Sequence, residues 1–186
     1  MKRLNGKVAG ALIFVGAVQF ILGMLVAECV YPNYSVANHY ISDLGKLDAV
    51  SAPVFNTSVF LLGLLVAVSA YFLRQIVRNK VFLGFLVLCG VGAMGVGIFP
   101  EDFGILHTIV SLIAFLFGAL SAIASYKYQK PPLSYFAVIL GLTSLAALIL
   151  FATGIHLGLG KGGMERMIAY PVLLWAIAFS GHLLKE

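Results

Sequence analysis

Charge is scarce in this chain. Seven acidic and twelve basic residues among 186 make up 10% of it, against 61% hydrophobic residues and a mean hydropathy of +1.04. So little charge cannot coat a soluble domain with a polar skin, which excludes that class. Two cysteines exclude a disulfide scaffold. Cys29 and Cys89 fall near the end of one hydrophobic run and the middle of another, too far apart in depth to bridge, and read as packing residues. There are six prolines and no low-complexity tract, so nothing resembles a linker and a single domain over 1–186 is expected.

What the chain has instead is long apolar runs. They lie near 8–27, 53–73, 81–99, 105–126, 133–155 and 164–183. Each is long enough to cross a hydrocarbon core of about 30 Å as a helix. An all-α polytopic integral membrane protein is expected, a six-transmembrane-helix bundle. The first run follows a basic start, as a secretory signal does, but it is too long for one and no small-residue cleavage site follows, so it is read as a retained helix.

Nine lysines and arginines (Lys2, Arg3, Lys7, Arg74, Arg78, Lys80, Lys127, Lys130 and Lys185) fall on one side of this arrangement, and Lys46, Lys161 and Arg166 on the other. Cytoplasmic loops carry the excess of basic residues, so both termini are expected in the cytoplasm of a multi-pass cell-membrane protein. The basic pI near 9.3 then reports topology. Nucleic acid is not an expected partner; membrane lipids are. Glycine-rich, smooth faces such as Ala114, Gly118 and Ala122 leave homo-oligomer formation open.

The same count puts six of seven carboxylates outside: Glu28, Asp43, Asp48, Glu101, Asp102 and Glu165, with only Glu186 inside. His39, His107 and His156 join them. Ionisable groups at a membrane border are costly and mark candidate functional sites. In the first outer segment, Ser35 can cap a short interfacial helix over Val36–Leu44, stopped by Gly45, with His39 and Asp43 four residues apart on one face. In the second, Pro100 breaks the chain. Glu101 and Asp102 suit the start of the next helix, and His107 falls a turn inside it, in need of a partner such as Asp102 or Asp43. The third runs from Gly154-Ile155-His156 through a glycine-rich turn to Glu165-Arg166, and so loosely repeats the acid-and-histidine ending of the second. It is not a phosphate loop of the Walker kind, because Gly162 follows Lys161 where Ser or Thr is needed. Arg166 offers a fork for a carboxylate or phosphate, or a salt bridge to an outer acid such as Asp43 or Asp102.

Asp43, Glu101, Asp102, His107, His156, Glu165 and Arg166 are therefore the candidate binding residues for a lipid headgroup or small anion, favoured by three helix N-termini directed at the same face. A membrane-embedded hydrolase or transferase acting on lipid is the alternative, with His39, Asp43 and His107 handling protons. A structural or assembly role is the third. The residue types also allow a divalent metal at His39, His107 and His156, although these come from three hairpins and lack metalloprotease spacing. No chain of ionisable residues crosses the bilayer, which disfavours a proton pump.

Tyr31-Pro32-Asn33-Tyr34-Ser35, Asn38, Ile41-Ser42-Asp43-Leu44-Gly45, Phe55-Asn56, Phe99-Pro100-Glu101-Asp102 with His107, and Gly163-Met164-Glu165-Arg166 resemble the domain of unknown function 998. The resemblance covers nearly the whole chain and implies a small six-helix membrane protein of bacteria or archaea. It implies no activity.

Overall fold

The computed structural model describes residues 2–185; Glu186, expected with the termini, lies outside the described residues. Six α-helices account for most of them: α1 (Lys2–Val30), α2 (Ala52–Leu73), α3 (Lys80–Ile98), α4 (Ile105–Ala124), α5 (Leu133–Ala152) and α6 (Gly160–Lys185). All six are long and apolar enough to span a membrane, and there is no strand among the described residues. In hydrocarbon a backbone must satisfy its own hydrogen bonds, and uninterrupted helices do so. Six spans put the chain's two ends on one face and the segments after α1, α3 and α5 on the other, here called the loop face.

Each helix packs against its neighbours in the chain, and α6 closes back on α1, so the bundle is a ring in sequence order. Where helices touch, small residues let the backbones approach. A Cβ on Gly90 of α3 would sit 2.6 Å from the Gly63 carbonyl of α2, so only glycine fits at that crossing. The core runs through the ring with Ile13, Phe20, Phe55, Phe82, Leu86, Trp175 and Phe179 buried along it. Near the ends of the chain, Ser125 accepts bonds from Trp175 Nε1 at 2.8 Å and from Gln129 Nε2 at 2.7 Å, tying α6 to the end of α4.

Two local expectations change. A continuous helix over Val36–Leu44 does not form. Ser35 does cap a turn, its Oγ accepting from the Asn38 N–H at 3.3 Å, but the turn ends before Tyr40 and a 3-10 turn follows at Ser42–Gly45. The reason is partly local and partly tertiary: the Tyr40 N–H bonds to the Asp43 carboxylate three residues on and the Ile41 N–H to Glu165 of α6, and a helix would have taken both. The glycine-rich turn is also shorter than read. Gly154, Gly158 and Gly160 take positive φ, whereas Gly162 and Gly163 already lie in α6.

Candidate functional site

The loop face is built by the segment between α1 and α2 folding down onto the start of α6. Gly162 makes that approach feasible, since its N–H donates to the Ala37 carbonyl at 3.0 Å and a Cβ there would collide with the His39 carbonyl. Arg166, one turn further along α6, fastens the same segment. Its Nη1 donates to the carbonyls of Val36 (3.3 Å) and Gly162 (3.0 Å), and its Nη2 to Glu28 (2.5 Å) and to the Tyr34 hydroxyl. The guanidinium is 5% exposed and lies 5.5 Å from the Tyr34 ring centroid. Burial pushes the Tyr34 phenol up to about 12, outweighing the pull of Arg166, so it stays a neutral hydroxyl.

Arg166 is therefore occupied by the protein itself. The outer acid it pairs with is Glu28, from the end of α1, in place of Asp43 or Asp102. Neither Glu28 nor Tyr34 was among the candidate site residues. The signals were present: Glu28 is the acid at the margin of the first apolar run, and Tyr34 belongs to the Tyr-Pro-Asn-Tyr-Ser block.

Asp43 is 3% exposed, accepts from the Tyr40 N–H at 2.7 Å and forms an ion pair with Lys46. Burial raises its pKa, but Lys46 and the Tyr40 N–H overcome that and hold the carboxyl below its usual range. Lys46 also reaches Glu101 at 3.7 Å, and Glu101 accepts from the Ser42 hydroxyl at 3.3 Å. Burial, with the Asp43 carboxylate as the next cause, pushes Glu101 up. Asp102 accepts from the Leu47 N–H at 3.0 Å. The two acids thus occupy a 3-10 turn, Glu101–Phe103, and join loop to loop; the N-cap of α4 is Gly104, and no side chain caps it.

The histidines separate. His39 Nδ1 accepts from the Ser35 N–H at 3.0 Å, and its ring stacks on Tyr34 with centroids 5.5 Å apart, so Asp43 does not hold it. His156 lies beside Phe151, centroids 6.4 Å apart. His107 is 8% exposed and finds neither Asp102 nor Asp43: Nδ1 bonds the Phe99 carbonyl at 2.8 Å and Nε2 the Ser111 hydroxyl at 3.2 Å. The three-histidine metal set is not assembled, and no group of three or more His, Cys, Asp or Glu among the described residues is placed to hold a metal ion.

What does converge is Ser42, His107, Ser111 and Glu165, which line two cavities. One, of about 100 Å³, lies inside the ring among Phe20, Phe55, Leu62, Ala93 and Val172. The other, of about 390 Å³, is a cleft flanked by α4 and α5, and adds Tyr40 and Glu101 to the polar wall and Leu112, Leu148 and Phe151 to the apolar one. Near the middle of α5, Gly141 packs closely on Ala119 and Ile123 of α4. Thr108, Leu112 and Ala152 along the cleft are exposed on the side a bilayer would cover. Glu165, 6% exposed, takes the Ile41 N–H on Oε2. Lys161 stands 4.3 Å from the centroid of the ring of Tyr40, a residue that lines the cleft. Asp102, His156, His39 and Arg166 do not line either cavity.

Six apolar helices of membrane-spanning length, packed in a ring, define a multi-pass membrane protein. Residues 14–182 match the family described as protein of unknown function (DUF998), and the chain belongs to that family. No curated protein and no solved structure matches it.

Proposed function

We propose that this protein binds the headgroup of a membrane lipid, admitted sideways from the bilayer through the cleft between α4 and α5. The observation that carries the reading is the make-up of that cleft: Leu112, Phe115, Leu148 and Phe151 offer acyl-chain contact at membrane depth, while Ser42, Glu101, His107, Ser111 and Glu165 gather at the loop-face end. The polar wall is rich in acceptors and Arg166 is neutralised by Glu28, which suits a headgroup bearing hydroxyl or ammonium donors better than a small free anion. Lys161, over the Tyr40 ring, is a cation within reach of a lipid phosphate. The bias of lysine and arginine toward the chain ends supports cytoplasmic termini in the cell membrane, so that the cleft serves the outer leaflet.

The test is lipid retention. Protein extracted in mild detergent is expected to carry about one lipid per chain by native mass spectrometry. Leu148→Trp, which fills the cleft from its apolar wall, lowers that occupancy without lowering the melting temperature by more than a few degrees. A wild-type protein free of lipid, or a tryptophan variant with undiminished occupancy, overturns the reading.

A further inference from the structure

The bonded hydroxyls of the membrane helices follow one habit. Ser58, Thr108, Ser121 and Thr143 donate to the backbone carbonyl four residues back, Ser69, Ser125 and Ser180 to one three back, and Ser144 donates across to the Ile168 carbonyl. Such bonds satisfy a hydroxyl where no water is at hand. Ser111 departs from the habit. Its Oγ lies 3.2 Å from His107 Nε2, and a carbonyl takes the opposite side of that imidazole, with Nδ1 2.8 Å from Phe99 O.

The tautomer follows from the partners. A carbonyl can only accept, so Nδ1 carries a proton, and in the tautomer with that proton alone the lone pair of Nε2 faces the Ser111 hydroxyl, which donates. A hydroxyl donating to an imidazole whose far nitrogen is anchored by an acceptor is the relation of nucleophile, base and orienting group. Pro100 and the 3-10 turn after it shape the chain that presents Phe99 O, so the ring is held from outside its own helix. Both side chains line both cavities, with the Ser42 hydroxyl on the same walls.

We propose that Ser111, activated by His107, is the nucleophile of an acyl transfer from an ester-bearing lipid. The inference rests on the lipid-binding reading above and adds a reaction to it. Ser111 Oγ bonds to the ester carbonyl carbon as its proton passes to His107 Nε2, and the carbonyl π electrons move onto oxygen to give the tetrahedral oxyanion. The carbon–oxygen bond to the leaving alcohol then breaks, and His107 returns the proton to that oxygen. Water attacks the acyl-serine by the same route, giving the free acid and restoring the Ser111 hydroxyl, with no oxidant or reductant consumed.

Protein in phospholipid nanodiscs is treated with a fluorophosphonate probe, and the labelled peptide is located by mass spectrometry. The expected result is labelling at Ser111, absent in Ser111→Ala and slowed about 100-fold or more in His107→Gln. Ser111→Ala should keep the wild-type melting temperature, which separates lost chemistry from lost fold. A wild-type protein that retains lipid but takes no label, or a label that persists in Ser111→Ala, overturns the acyl-transfer inference and leaves lipid binding standing. Absence of lipid from the wild type sinks both.

Discussion

Replacing Arg166 by leucine removes the group that ties α1, the loop between α1 and α2, and α6 together. Four acceptors lose a donor at once: Glu28, the Tyr34 hydroxyl, and the carbonyls of Val36 and Gly162. The stranded charge costs most, because the Glu28 side chain is only 18% exposed and Arg166 is the cation paired with it. Breaking one partner of a buried pair costs about 3–5 kcal/mol, and the partial exposure of Glu28 argues for the lower end, about 3 kcal/mol. At about 2–4 °C per kcal/mol for a chain of this size, the melting temperature should fall by about 6–12 °C. Thermal unfolding in detergent, followed by Trp175 fluorescence, reads the shift. Arg166→Lys keeps the charge without the planar fork and should lose less. Adding Glu28→Gln to the leucine variant should restore part of the loss, since the orphan charge is gone. If Arg166→Leu melts like the wild type while its bound lipid disappears, the clamp is refuted and Arg166 is a ligand contact.

Gly162→Ala should be costlier than Gly163→Ala. The new methyl at 162 meets the backbone carbonyls of His39 and Val36, which cannot swing aside, whereas at 163 the nearest atom is the Leu159 Cβ at 3.0 Å. A loss of about 1–3 kcal/mol, with faster proteolysis between residues 36 and 41, checks it. Asp43→Asn should flatten the acid limb of the stability curve. The folded carboxyl titrates below 3.8, so its contribution is complete above that value and is lost as pH falls through the folded pKa. The gap between wild type and variant should therefore be full at neutral pH and close below about pH 4; a gap independent of pH would show that the Lys46 pair is not its source.

The glycine and histidine positions show what could be read from the chain and what could not. Apolar runs of membrane length dictate helices wherever they occur, because unbonded backbone is too costly in hydrocarbon, and so six helices and the side on which acids and histidines gather were legible. The pairing of Ser111 with His107 was missed in favour of Asp102 or Asp43, although residues four apart on a helix share a face. Partners distant in sequence were not legible. Arg166 reaches Glu28 across 138 positions and Glu165 reaches Ile41 across 124. The Glu165 bond, with the local one from the Tyr40 N–H to Asp43, took N–H groups that local propensity assigned to the expected helix over Val36–Leu44.

By itself the sequence determined a membrane bundle with a polar loop face and a membership that its motifs announce. Only the tertiary structure decided which polar groups are consumed holding that face together and which remain turned to a cavity. Arg166, Asp43 and Asp102 went to the first purpose; His107, Ser111 and Glu165 line the second. The physical reason is that side-chain charge is local in sequence, whereas its neutralisation depends on which helices the ring makes adjacent.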